Sequence, residues 1–136
     1  MKQTDWLRQI AEDLLMKMFS EILEGGSMGN IGYKLRYLPI FYEDFEKSVV
    51  YIAENLQNIQ AANDLLDEVE RAILERLPIA ESFETYDSPR ERRYPYYRIY
   101  VKNYVIYYVV INDEFEGKIM EVRRFLHKRQ DRATMI

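Results

Sequence analysis

The sequence predicts an α+β domain: a small antiparallel sheet with a helical hairpin on one face, in the order β-α-α-β-β-β, preceded by an extra N-terminal amphipathic helix. Three observations predict it. Residues 97–101, 104–111 and 119–125 are dense in β-branched and aromatic residues, and they are separated by turn chemistry at Lys102-Asn103 and at 112–117. The middle run is apolar on both faces, with Tyr104, Ile106, Tyr108 and Val110 on one side and Val105, Tyr107, Val109 and Ile111 on the other. A strand of that kind is covered on both sides and sits at the centre of its sheet. Upstream, two segments with helical apolar periodicity are joined by only a few residues, which makes them an antiparallel pair.

Thr4–Glu24 opens the chain as one helical pattern. Thr4 or Asp5 can cap it, and Trp6, Ile10, Leu14, Met18 and Ile22 form a stripe widened by Leu7, Ala11, Leu15 and Phe19. Gly25-Gly26-Ser27 has the composition of a flexible linker, and Met28 directly after it has the look of a second protein's own start. This divides the chain into an amphipathic helix over 1–24, a linker over 25–27 and a domain over 28–136. The competing reading is a native helix that ends on Gly25 as its C-cap. From Tyr33 to Leu38 the residues alternate as a first strand. Pro39 ends that strand and opens a helix over 40–56, with Phe41, Phe45, Val49 and Ile52 inward. Asn58 is positioned to cap a second helix over 60–77, and Pro78 stops it. Residues 81–95, polar with two prolines, read as a loop leading into the sheet.

At 136 residues this is one domain with room for a real core, and 48% hydrophobic with 31% charged residues is a globular balance. There is no apolar run of membrane-spanning length and no secretory signal pattern. The absence of cysteine excludes disulfide and thiolate chemistry and fits the cytoplasm. With a single histidine and no cysteine, neither a metal site nor any other cofactor is expected. The net charge of −4 conceals an asymmetry: residues 89–136 carry 11 basic against 6 acidic residues, whereas residues 28–88 carry 5 against 12. An acidic protein with a basic sheet half remains suited to an anionic partner.

The first strand of the sheet run points Tyr96, Arg98, Tyr100 and Lys102 to one face. Alternating tyrosine and base suits nucleic acid, because cations meet phosphates and rings stack on unpaired bases. A solvated face with tyrosines packed across strands fits the same pattern. The last strand runs into Arg123-Arg124, His127-Lys128-Arg129 and Arg132. Arg124 shares the parity of Met120 and Val122, so a buried cation paired with Glu121 or Asp131 is as good a reading of it as substrate binding.

The run YRIYVKNYVIYYVV, followed by EVRRFLHKRQD, resembles the RelE/ParE superfamily of bacterial toxins, the toxin halves of type II toxin–antitoxin modules. The resemblance covers roughly Tyr33–Asp131, with Arg124, His127, Arg129 and Asp131 as its terminal pattern. It implies a cognate antitoxin as partner, often engaged through an amphipathic helix, for which residues 1–24 are a candidate stand-in. It also implies one of two actions: ribosome-dependent mRNA cleavage, which is the expected one and would make the protein an endoribonuclease, or, as the alternative, poisoning of DNA gyrase without catalysis. A toxin-like module that only binds antitoxin is the remaining alternative. For cleavage the resemblance assigns Arg98 and Arg129 as phosphate or transition-state cations and His127 as general acid or base. Tyr96, Tyr100, Lys102, Arg124 and Lys128 become substrate-binding residues. RelE carries an arginine directly after the tyrosine that opens the middle strand; here Val105 follows Tyr104.

Overall fold

The computed structural model describes residues 33–86 and 93–130, together with Gln9, Asp13 and Met16. Most of the expected Thr4–Glu24 helix, the linker 25–27, and Asp131 and Arg132 lie outside the described residues. Within them the elements are β1 (Tyr33–Tyr37), α1 (Pro39–Glu54), α2 (Ile59–Arg76), a 3-10 turn (Leu77–Ile79), β2 (Thr85–Tyr86), β3 (Tyr96–Val101), β4 (Tyr104–Asp113) and β5 (Gly117–His127).

Local chemistry sets the element ends. Pro39 lies in the first turn of α1, where its missing N–H costs nothing. At α2 the Asn58 side chain accepts a hydrogen bond from the Ala61 backbone N–H at 2.9 Å, as an N-cap should. Pro78 falls inside the 3-10 turn that terminates α2. The β3–β4 hairpin turns on Lys102-Asn103, with Lys102 at φ 52° in the left-handed region. Gly117 takes φ 81° where β5 begins, a value a side chain would strain. There the Asp113 carboxylate accepts the N–H groups of Glu116 and Phe115, which hold its pKa below the usual carboxylate range.

The strands form one sheet in the order β1-β5-β4-β3-β2. It corrects the all-antiparallel expectation. β2, β3, β4 and β5 pair antiparallel, but β1 adds to β5 in parallel, Tyr33 beside Lys118 and Tyr37 beside Val122. The reason is the route of the chain: the helical hairpin carries it from one edge of the sheet across a face to the other edge. The short strand β2, which pairs with β3, also lies within the stretch expected to be a plain loop.

α1 and α2 cover one face. Phe41, Phe45, Val49, Leu65, Val69 and Ile73 pack there against Ile99, Ile106, Tyr108, Met120, Val122 and Phe125. A second apolar cluster lies on the opposite face, made by Tyr96, Val105, Tyr107, Val109 and Leu126. β4 supplies both clusters, as its two-sided sequence requires.

Between Tyr107 and Tyr108 the β4–β5 register shifts: Tyr108 faces Val122, whereas Tyr107 faces Arg124, so Arg123 is an extra residue in β5. The bulge reverses parity beyond it. Phe125 joins Met120 and Val122 under the helices, and Leu126 turns to the open face. No helix among the described residues is long and apolar enough to cross a membrane.

A polar tie joins the loop to both edge-side strands: Glu81 accepts from the Tyr33 hydroxyl at 2.8 Å and from the Lys118 ammonium. Those two hydrogen bonds hold the Glu81 carboxyl below its ordinary value of 4.5. A group lowered in this way stabilises the fold above its unfolded-state pKa, and that contribution drains as pH falls through the folded-state value. Glu81→Gln is therefore expected to melt below the wild type at pH 7, with the gap in melting temperature closing as the pH is lowered past 4. Asn58→Ala is expected to cost about 1 kcal/mol, read as a lower urea midpoint at unchanged slope.

Candidate binding surfaces

The sequence-predicted site residues separate into two groups. Arg98 pairs in register with Tyr107, so it stands on the open face with Tyr96 and Tyr100. Its guanidinium lies 4.9 Å from the Tyr86 ring centre and 5.7 Å from that of Tyr100. Tyr100 is 57% exposed, a ring available to a partner. Tyr96, expected to support a base, is only 4% exposed and meets Tyr107 edge-on at 6.1 Å. It packs within the second cluster instead of offering a stacking face.

His127 belongs to the other group. It pairs with Tyr104, which packs against the helix-side core, and its ring meets the Tyr104 ring edge-on at 5.3 Å. Tyr104 is itself stacked on Phe125 at 4.7 Å. The His127 Nδ1 accepts the Arg129 backbone N–H at 3.1 Å, while the His127 N–H donates to the Gln130 side chain at 2.6 Å. The Lys128 N–H donates to the Asn103 carbonyl at 2.9 Å, which ties this turn to the β3–β4 hairpin. Lys102, His127, Lys128 and Arg129 are thereby gathered at one end of the sheet. Beside them Tyr51, Leu56, Leu65, Asn103, Tyr104 and His127 are among the residues lining a cleft of about 340 Å³. Lys102 also reaches Glu68 of α2 at 3.7 Å.

The bulge makes the separation. Without Arg123 as an extra residue, His127 would share the face of Glu121 and of Arg98. With it, Arg98 and His127 leave opposite faces, on strands that flank β4 and are offset by three pairing positions. From strand spacing and rise, their backbones are roughly 14 Å apart.

Two other arginines are held by carboxylates. Arg124 makes a two-pronged contact with Asp44 of α1, Nε at 2.7 Å and Nη2 at 3.1 Å, with side chains only 16% and 11% exposed. Asp44 also accepts the Phe125 backbone N–H at 3.1 Å. Among the described residues the Arg124 partner is therefore Asp44 and not Glu121, while Asp131 lies outside them. β1 ends at Tyr37, so β5 becomes an edge strand beyond Val122, and Asp44 covers part of that edge. Glu121, the one buried charged residue among those described, accepts from Arg36 at 2.8 and 2.6 Å and from Arg123 at 2.8 Å. Burial alone would lower the Arg123 pKa, but hydrogen bonds to Tyr96 and Glu121 outweigh it and raise it.

Sequence reasoning missed Asp44 and Arg76, and it named Glu121 as a partner for Arg124, where the structure gives Glu121 to Arg36 and Arg123. Arg76 Nη1 donates to the Arg98 carbonyl at 3.1 Å and to the Tyr108 hydroxyl at 2.9 Å, and that hydroxyl donates to the Ala80 carbonyl at 2.6 Å. The strand bearing Arg98 is thus pinned to the end of α2. Only the lone basic residue in the last turn of α2 hinted at this. Among the described residues no cluster of His, Cys, Asp and Glu could hold a metal ion.

A profile of the ParE toxin family, the toxins of parDE type II toxin–antitoxin systems, matches residues 35–132. The chain belongs to this family. The match covers both helices and all five strands except the first residues of β1, and it lies within the domain expected over 28–136. Membership makes the protein a type II toxin of the RelE/ParE superfamily and implies a cognate antitoxin. A comparison with curated proteins finds no significant match.

Asp44→Ala would remove the buried carboxylate that Arg124 and the Phe125 N–H share, and is expected to destabilise the toxin by about 3 kcal/mol in urea unfolding. Asp44→Asn, which keeps an acceptor oxygen for Phe125, is expected to cost less.

Proposed function

We propose that this toxin acts by gripping a protein target, DNA gyrase, and not by cleaving RNA. The observation that carries the reading is the separation of Arg98 from His127. Cleavage by a 2′-hydroxyl needs a cation on the phosphate and a proton-transfer group within about 3 Å of the same reacting atoms. Two side chains on opposite faces of a sheet do not meet that condition at one phosphate. Arg124 is committed to Asp44 and Tyr96 is buried, which thins the cleavage set further. In the gyrase reading, Lys102, Lys128 and Arg129 form the cationic part of the grip. The exposed apolar rim of the neighbouring cleft, Tyr51 at 52% and Leu56 at 58%, supplies the contact area.

One observation favours the second reading, ribosome-dependent mRNA cleavage. His127 shares its cleft with Lys102 and Asn103, which sets a proton-transfer group beside a cation. In that reading His127 is the general acid or base, and Arg129 and Lys102 carry the phosphate charge.

Growth arrest should be induced with the full chain and, in parallel, with residues 28–136, while DNA ends and mRNA ends are mapped in the same cells. The expected result is broken DNA with intact message. Arg129→Glu should weaken the effect at least tenfold, and His127→Ala should leave it nearly unchanged. New cuts within translated codons, abolished by His127→Ala, would overturn the proposal in favour of cleavage. Unimpaired growth with both chains would leave a module that only binds antitoxin.

A further inference from the structure

We propose that the hairpin tip between β4 and β5 docks into the cleft beside His127 of a second copy of this chain, so that the toxin associates head to tail and covers its own grip. The regulatory meaning rests on the target reading above, since the cleft is the same one. The association is measured on purified protein and does not depend on toxicity.

The tip is the first observation. Phe115 is 94% exposed and belongs to neither core. It is nonetheless held firmly: Asp113 accepts the Phe115 and Glu116 N–H groups at 2.8 and 3.0 Å, and Gly117 turns the chain back at φ 81°. A ring fixed in advance loses little freedom when a partner buries it, which is what a binding anchor requires. Glu114 and Glu116 flank the ring. Both are exposed, and neither has an ion-pair partner among the described residues. The next cation along β5, Lys118, is engaged by Glu81.

The cleft is the second observation. Ile52 and Leu65 are buried at its base, and Tyr51 and Leu56 are exposed at its rim. A volume of about 340 Å³ is at the small end for ligand clefts, room for one ring and the carboxylates beside it. Its mouth is cationic. Lys102 lines it, with part of its charge met by Glu68 at 3.7 Å, and exposed Arg129 follows on the adjoining turn with no carboxylate on it among the described residues. His127 adds a donor. Its Nδ1 accepts the Arg129 N–H, so the neutral ring carries its proton on Nε2 and gives a hydrogen bond there. An apolar base ringed by cations and a donor is the complement of a phenyl ring between two carboxylates.

The two cannot meet within one molecule. Tyr104 pairs with His127 at one end of β4, and Asp113 pairs with Gly117 at the other. Nine residue steps, at about 3.3 Å each, separate those ends by roughly 30 Å. The tip of one copy therefore meets the cleft of another, a contact between unlike patches that leaves one tip and one cleft unused in each pair. A single anchored ring buries little area, so the association is weak and grows with concentration.

Sedimentation velocity of the full chain, over about a hundredfold range of concentration, is the test. The expected sedimentation coefficient climbs with concentration for the wild type and stays at the monomer value for Phe115→Ser and for Leu56→Asp. Both positions are exposed, so each variant is expected to melt close to the wild type. An equimolar mixture of the two should regain association and stop at a pair, because only one intact tip and one intact cleft remain. A mixture that stays monomeric would overturn the proposal. So would a monomeric wild type, which would leave the cleft to the target alone. Glu114→Lys combined with Glu116→Lys should weaken association at least tenfold; unchanged association there, or in Phe115→Ser, would assign it to another surface and overturn the proposal. If Leu56→Asp loses its fold, Tyr51→Asp takes its place in the mixture.

Discussion

The constraint on which the rest depends is that β4 has no polar face. A strand apolar on both sides obliges the molecule to build two cores, one on each side of a single sheet. The helical hairpin makes the first with phenylalanine and aliphatic side chains. The second is smaller and aromatic, and it tolerates charge: Glu121 is buried on this face between Arg36 and Arg123. A buried carboxylate with one cation gains little over its desolvation cost. Three hydrogen bonds from two guanidinium groups satisfy its oxygens more fully and leave part of each cation in water.

The single extra residue in β5 shapes function as much as stability. It lets Phe125 turn under the helices, where it meets Phe45 edge-on at 4.8 Å and stacks on Tyr104. The same inversion carries His127 to the helix side and Leu126 to the open side. One unpaired residue therefore sets Arg98 and His127 on two separate surfaces: a tyrosine-flanked arginine on one face, and a basic end beside an apolar cleft on the other. The cations are further sorted by their acids, since Arg124 and Arg123 are held by Asp44 and Glu121 while Arg129 extends from an exposed turn.

Much of this was legible in the residues. The two-sided apolarity of 104–111 located the central strand, Asn58 and Pro39 marked helix starts by capping chemistry, and Lys102-Asn103 marked the hairpin. The face shared by Tyr96, Arg98 and Tyr100 followed from alternation alone, and the resemblance to RelE/ParE toxins agrees with the family match. What alternation could not reveal is where it breaks. A bulge has no obligatory sequence mark when the inserted residue is an arginine, so parity counted through Arg123 grouped Arg124 with Met120 and Val122, whereas it pairs with Tyr107 of the open face. The acid for Arg124 is 80 residues away in the chain and invisible to local reading. The parallel edge strand was missed for a related reason, because YKLRY would suit an edge in either direction. The burial of Tyr96 is likewise a property of its neighbours and not of its own sequence context.

The parallel seam between β1 and β5 has a consequence for how the protein comes into being. Arg36 and Glu121, adjacent in that seam, are 85 residues apart. β1 has no other strand neighbour among the described elements, so during translation it waits for almost the whole domain to be made. At ordinary elongation rates that delay is roughly 4–17 s, long beside the microseconds in which a helical hairpin forms. The sheet is therefore completed late, and both candidate surfaces, each of which uses β5, come into existence only once β5 has been made.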